Sequence, residues 1–212
     1  MNPTRSAFVA TSRALVDLLW SAALGARWAS PSVLSDMTVG ALAGHTGRAA
    51  SWAIEEYLAD PPPARGAVPI TAAEYYAAVP VDVSSPVYRA VMERGAQIAV
   101  AGAESLRLRV VDSLDRLAPQ LADVPPDHQL TVMGSTPMYF DEYLKTRIVE
   151  IVLHSDDLAL SIGVEPPTID APTGELIAHL SVDVVRLRAG ELAVVRALYR
   201  RERQSSDALR VF

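Results

Sequence analysis

Hydrophobic residues recur every three or four positions through most of the chain, and the rhythm breaks at proline and glycine. Residues 4–28 carry Phe8, Leu15, Leu19 and Ala22 at this spacing, with Val16 and Leu18 beside them and no proline between, which predicts a first helix. Gly25 and the segment Ala29-Ser30-Pro31-Ser32 close it. Thr38 is then placed to cap a second helix over residues 39–59, whose stripe runs Leu42, His45, Ala49, Trp52 and Glu56. Pro61-Pro62-Pro63 stops that helix, because each proline lacks an amide donor and restricts the residue before it.

Residues 61–69 read as loop and 71–79 as a short helix. Ser84-Ser85-Pro86 suits a helix start with proline in its first turn, and Val87, Val91, Ile98, Leu106, Val110, Leu114 and Leu117 extend a third long helix to residue 121. The stretch 122–137 is loop-like, with a short strand possible at 129–133 and Thr136 placed to cap the next helix. Gly163 and Pro166-Pro167 end that helix. A last one over residues 172–203 has an apolar side of Ile177, Leu180, Val184, Leu187, Val194 and Leu198 and otherwise charged faces, which makes it a surface helix. Residues 205–212 form a tail that Val211 and Phe212 could pin. These elements predict an all-α protein: a four-helix bundle with long connections and an additional C-terminal helix, without internal repeat or domain linker.

The helix over residues 140–161 differs from the others. Phe140, Tyr143, Arg147, Glu150, His154, Asp157 and Ser161 fall on one stripe, and its remaining circumference is oily, with Ile148, Val149, Ile151, Val152, Leu153, Leu158, Ala159, Leu160 and Ile162. Such a helix belongs inside a bundle, so the stripe faces a partner or a cavity. Burying its charged groups unpaired would cost several kcal/mol, roughly, for each.

Composition narrows the setting. At 212 residues, half of them hydrophobic, the chain can build a real core, yet no run reaches the roughly 18 uncharged apolar residues of a membrane span. The opening Met1-Asn2-Pro3-Thr4-Arg5 lacks the pattern of a secretory signal, so a cytoplasmic protein is expected. A net charge of −6 with scattered basic residues argues against nucleic acid or anionic membrane as the main partner. With no cysteine, any metal must be held by histidine and carboxylate, and any sulfur nucleophile must come from a bound small thiol.

Glu150 and His154 stand one helical turn apart, a spacing that lets both reach one divalent cation. A third ligand must come from elsewhere, and the other histidines are His45, His128 and His179. His45 lies on the apolar stripe of the second helix, His128 in a polar loop and His179 on the last helix. From the residues alone, His45 is either a ligand or a core histidine, and Glu150/His154 either half a metal site or a polar pair. Arg147 and Asp157 flank the pair, either as its support or as members of a structural ion-pair network in which Arg147 meets Glu150 or Glu142.

The run Ser35-Asp36-Met37-Thr38-Val39-x-x-Leu42-x-x-His45, taken with Arg147-x-x-Glu150-x-x-x-His154-x-x-Asp157-Leu158, resembles the N-terminal domain of mycothiol-dependent maleylpyruvate isomerases. That domain is a branch of the DinB-like metal-binding helical bundles. The resemblance makes residues 1–165 the metal-binding bundle, with residues 166–212 packed on it in the same domain. It implies that His45, Glu150 and His154 hold a divalent metal, commonly zinc, with an open coordination position. It makes Arg147 and Asp157 their support, and Phe140 and Tyr143 a pocket wall. Mycothiol or a related small thiol would be the cosubstrate, held as thiolate to attack an electrophilic substrate, ending in thiol transfer or in isomerisation of a cis double bond. The family often has tryptophan where this chain has Met37. The isomerases also follow the bundle with an α/β domain where this chain has a helix and a tail, which favours thiol transfer. The other reading is a non-catalytic metal- or ligand-binding bundle whose stripe is a structural polar network. Either form is compatible with a homodimer.

Overall fold

The computed structural model describes residues 2–78 and 85–200. Its elements are α1 (Pro3–Leu19), α2 (Ala22–Ala26), α3 (Val39–Ala49), α4 (Trp52–Ala59), α5 (Ala72–Ala78), α6 (Pro86–Ala99), α7 (Gly102–Gln120), β1 (Gln129–Val132), β2 (Thr136–Tyr139), α8 (Phe140–Ile162), α9 (Ala171–Ala189) and α10 (Glu191–Tyr199). The bundle expected from the hydrophobic rhythm is present: α1 and α3 pack on α8, α6 and α7 on α3, and α9 lies over α5, α8 and α1. No helix among the described residues is long and apolar enough to cross a membrane.

Several starts follow from local chemistry. Thr38 caps α3 by accepting from the Ala41 amide at 3.1 Å, and Ser85 caps α6 through the Tyr88 amide with Pro86 at the first position. Thr71 and Glu74 form a capping box around the start of α5: the Thr71 amide donates to Glu74 Oε2 at 2.7 Å and the Glu74 amide to Thr71 Oγ1 at 3.2 Å.

Four long helices expected from the pattern are each broken once. The first divides at Trp20 and Ser21, where Ser21 is extended. The second divides at Ser51, whose hydroxyl donates to the Gly47 carbonyl at 2.6 Å and competes with the backbone ladder. The third divides at Gly102, with φ of +85°, and the last at Gly190. In each case the apolar spacing runs on across the break, so periodicity alone does not reveal it. The expected end of the last helix at residue 203 and the Val211 and Phe212 tail lie outside the described residues, as do Ser84 and Val79.

Thr136 does not cap α8. It pairs with Val132 at the closed end of an antiparallel hairpin whose register runs to Gln129 opposite Tyr139, so the stretch contains a second strand as well as the expected one. Tyr139 occupies the cap position without a side-chain bond. The first amide of α8, that of Phe140, donates instead to the His128 carbonyl at 2.8 Å. Arg5, almost wholly buried, fastens this end of the bundle by donating to Asp141 Oδ1 and to the Leu121 and Val124 carbonyls, each at 2.7 Å.

Helices α3 and α6 pack backbone against backbone. A Cβ on Gly95 would lie 2.6 Å from the Ala41 carbonyl oxygen, and one on Gly44 would lie 2.9 Å from the Gly95 carbonyl oxygen. Only glycine lets the backbones approach this far, which sets α3, and with it His45, at its depth in the bundle. In a free helix, alanine is favoured over glycine by about 1 kcal/mol. Gly95→Ala should instead destabilise this protein by about 1–3 kcal/mol because the clash is with backbone. Gly25→Ala, with nothing within 4 Å of the new methyl, should be neutral or slightly stabilising. Urea denaturation midpoints read both.

Candidate metal centre

Glu150 is the point on which the polar stripe converges. It leaves the middle of α8, where α3 packs against that helix, and its Oε2 atom faces His45 Nε2 at 3.2 Å and His154 Nε2 at 3.5 Å. The two imidazoles stand nearly perpendicular, with ring centroids 4.9 Å apart. One atom from each of the three side chains can be chosen so that all lie within 4.8 Å of one another. The expected partner for the Glu150/His154 pair is therefore His45, brought from 105 residues away by the α3–α8 contact. His128 is turned edge-on to Phe140 and His179 is exposed on α9, both away from the cluster.

The donor set fits a divalent cation. Two ligands at zinc distances of about 2.0–2.1 Å and a tetrahedral angle stand about 3.3–3.4 Å apart, close to the two separations from Glu150. His154 donates from Nδ1 to Asp157 Oδ2 at 3.0 Å. That bond fixes the ring orientation and turns Nε2 toward Glu150, the arrangement in which a carboxylate orients a ligating imidazole. The side chains of His45, Glu150 and His154 are 19, 17 and 23% exposed, so the cluster is sheltered but reachable.

The charges around it follow from burial and pairing. Burial pushes the Glu150 carboxyl up, but hydrogen bonds with His154 and His45 and the nearby Arg147 charge outweigh it and hold the group well below the usual carboxylate range. His45 is lowered by burial, which exceeds the effect of its bond to Glu150. For His154, burial is outweighed by its bonds to Asp157 and Glu150, and its pKa rises to about 9.

Arg147 and Tyr143 form a layer beneath the cluster. The Arg147 guanidinium lies 4.9 Å from the Tyr143 ring centroid and its Nε donates to Thr146 Oγ1 at 3.1 Å. Among the described residues it makes no ion pair with Glu150 or Glu142; Glu142 pairs with Lys145 instead. Tyr143 is buried edge-to-face against Tyr57, with centroids 4.9 Å apart. Phe140 does not join this layer. It is fully buried ten residues before Glu150, about 15 Å along the helix, under the Arg5 guanidinium. Ser161, at the other end of the stripe, accepts the Val33 amide at 3.0 Å.

One contributor is absent from the residues singled out in the sequence. The Tyr76 hydroxyl, from α5, donates to the Thr146 carbonyl at 2.9 Å and reaches Glu150 Oε1 at 3.4 Å. Its only sequence signal is the Tyr75-Tyr76 pair in an otherwise alanine-rich short helix.

The mycothiol maleylpyruvate isomerase N-terminal domain family matches residues 8–159, well over half of the chain and a span that contains His45, Glu150, His154 and Asp157. The chain belongs to this family. No curated protein and no solved structure matches it. The family match ends within α8, so α9 and α10 of this member lie outside it.

A histidine that holds its proton more tightly when folded contributes stability that is complete below its unfolded pKa, near 6.5, and is lost as pH rises through its folded value. Metal-stripped protein should therefore lose denaturation midpoint between pH 6.5 and about 9 as His154 deprotonates. Asp157→Asn should flatten that decline. His45 acts in the opposite sense, and only below pH 6.5, where the unfolded chain takes up a proton that the folded one resists. Chemical denaturation in chelator across this range measures both limbs.

Proposed function

We propose that this chain is a metal-dependent enzyme that uses a small thiol of the mycothiol type as nucleophile and transfers it to an electrophilic substrate. The observation that carries this reading is the convergence of His45, Glu150 and His154 on one point, with Asp157 on the outer nitrogen of His154. Family membership supports a mycothiol-related domain, and the absence of cysteine leaves no sulfur nucleophile in the protein itself.

In this reading His45, Glu150 and His154 hold a divalent cation such as zinc, which when bound supplies a Lewis acid able to keep a small thiol ionised near neutral pH. Asp157 sets the ring of His154. Arg147, with the bonds to His154 and His45, favours the ionised form of Glu150, and the Tyr76 hydroxyl stands 3.4 Å from its other oxygen. The partial exposure of the three side chains gives the thiol and the electrophile access. Transfer forms one carbon–sulfur bond on the substrate while its leaving group departs and the thiol proton passes to solvent.

A second reading rests on the same distances. His45 with Glu150, and His154 with Asp157, are hydrogen-bonded pairs in their own right, as a non-catalytic bundle with a structural network would need. Metal content and thiol binding separate the two. The enzyme reading predicts about one divalent metal per chain, lost in His154→Ala and His45→Ala, and mycothiol binding by calorimetry in the metal-loaded form alone. Metal content unchanged in His154→Ala would remove the site assignment. Asp157→Asn should weaken metal affinity by about 10–100-fold without abolishing it, as removal of a group orienting a ligand does.

A further inference from the structure

A cavity of about 290 Å³ lies between α5, α8 and α9, along the stretch of α8 that carries the candidate centre. Its wall includes Tyr76, Val149, Leu153, Leu180, Ser181 and Val184. Two of these are the chain neighbours of candidate ligands: Val149 precedes Glu150 and Leu153 precedes His154. Successive helix positions are about 100° apart, so the cavity and the cluster occupy adjoining stripes of α8. Tyr76 belongs to both, with its ring in the cavity wall and its hydroxyl at Glu150.

The cavity is apolar in its chemistry as well as its composition. Its two hydroxyls are already engaged, Ser181 donating to the Ile177 carbonyl at 2.8 Å and Tyr76 to the Thr146 carbonyl at 2.9 Å. Among the described residues no charged side chain lines it, so a carboxylate or a sugar would lose its water there without replacement. Leu153, at 42% exposure, keeps an apolar surface in contact with solvent next to His154, where an unoccupied hydrophobic side chain gains nothing. The volume is near the lower end of small-ligand pockets, on the order of 300 Å³, and suits one ring system with short substituents.

We propose that this cavity binds the apolar body of the electrophilic substrate, so that the substrate class is a hydrophobic, ring-bearing electrophile with its reactive carbon at the cluster. The proposal rests on the thiol-transfer reading for the chemistry, while the cavity itself can be tested without metal or turnover. The probe is 1-aminonaphthalene, a neutral fluorophore with one fused ring system and a short substituent, titrated into chelator-treated full-length protein. Ser181→Phe fills the cavity from α9, away from the cluster. It should weaken probe binding at least tenfold while leaving metal stoichiometry unchanged.

Ser181→Leu serves as a smaller filling variant should the phenylalanine lower the thermal midpoint, and should give an intermediate loss. Equal affinity in the filled variants, no probe binding by the parent, or binding that falls as protein concentration rises, as when a second copy covers the cavity, overturns the proposal. With metal and mycothiol present, Ser181→Phe should raise KM for 1-chloro-2,4-dinitrobenzene about tenfold, with kcat and the KM for iodoacetamide little changed. In the first reaction a carbon–sulfur bond forms as chloride leaves and the thiol proton goes to solvent. Absent turnover in the parent protein would count against the thiol-transfer reading, whereas failure of the probe titration would count against the cavity alone.

Discussion

An ionised carboxylate inside a helical bundle must be surrounded by donors or cations, and Glu150 is the carboxylate around which this one is arranged. Four groups from three helices converge on it. α3 supplies His45, the next turn of α8 supplies His154, the preceding turn supplies the Arg147 charge, and α5 supplies the Tyr76 hydroxyl. Without those groups a charge at this depth would cost several kcal/mol, roughly. With them the group remains ionised, which is the state a cation requires of a ligand.

The position of α3 follows from a backbone constraint rather than a polar one. Gly44 and Gly95 allow α3 and α6 to meet at carbonyl distance, and the depth this gives α3 brings His45 within reach of Glu150. At the far end of the bundle, Arg5 ties α1 to the end of α7 and the first turn of α8. That end contains Phe140 and His128 and takes no part in the cluster. The two ends of α8 thus have different tasks: anchoring at residues 140–144 and the candidate chemistry at 147–157.

The site is also asymmetric around α8. One side presents three groups suited to a cation, and the adjoining side presents an apolar cavity whose hydroxyls are already engaged. Tyr76 belongs to both and lies on α5, which α9 covers. The part of the chain beyond the family match therefore shapes the surroundings of residues within it.

The sequence by itself determined the helical class, the cap at Thr38, the helix start with proline at Pro86, the stop at Pro61-Pro62-Pro63 and the polar stripe of α8, because each depends on residues within a few positions of one another. The spacing of Glu150, His154 and Asp157 was legible for the same reason: a helix fixes what lies one turn away. The tertiary structure decided the rest. The breaks at Ser21, Ser51, Gly102 and Gly190 interrupt helices whose apolar spacing continues unchanged, and Thr136 was drawn into a hairpin by pairing with Val132. His45 meeting Glu150 and Tyr76 reaching its second oxygen depend on packing between distant segments, as does the separation of Phe140 from the cluster. Periodicity gives the face on which a side chain lies, whereas its partner is set by which helix comes to rest against that face and how deeply.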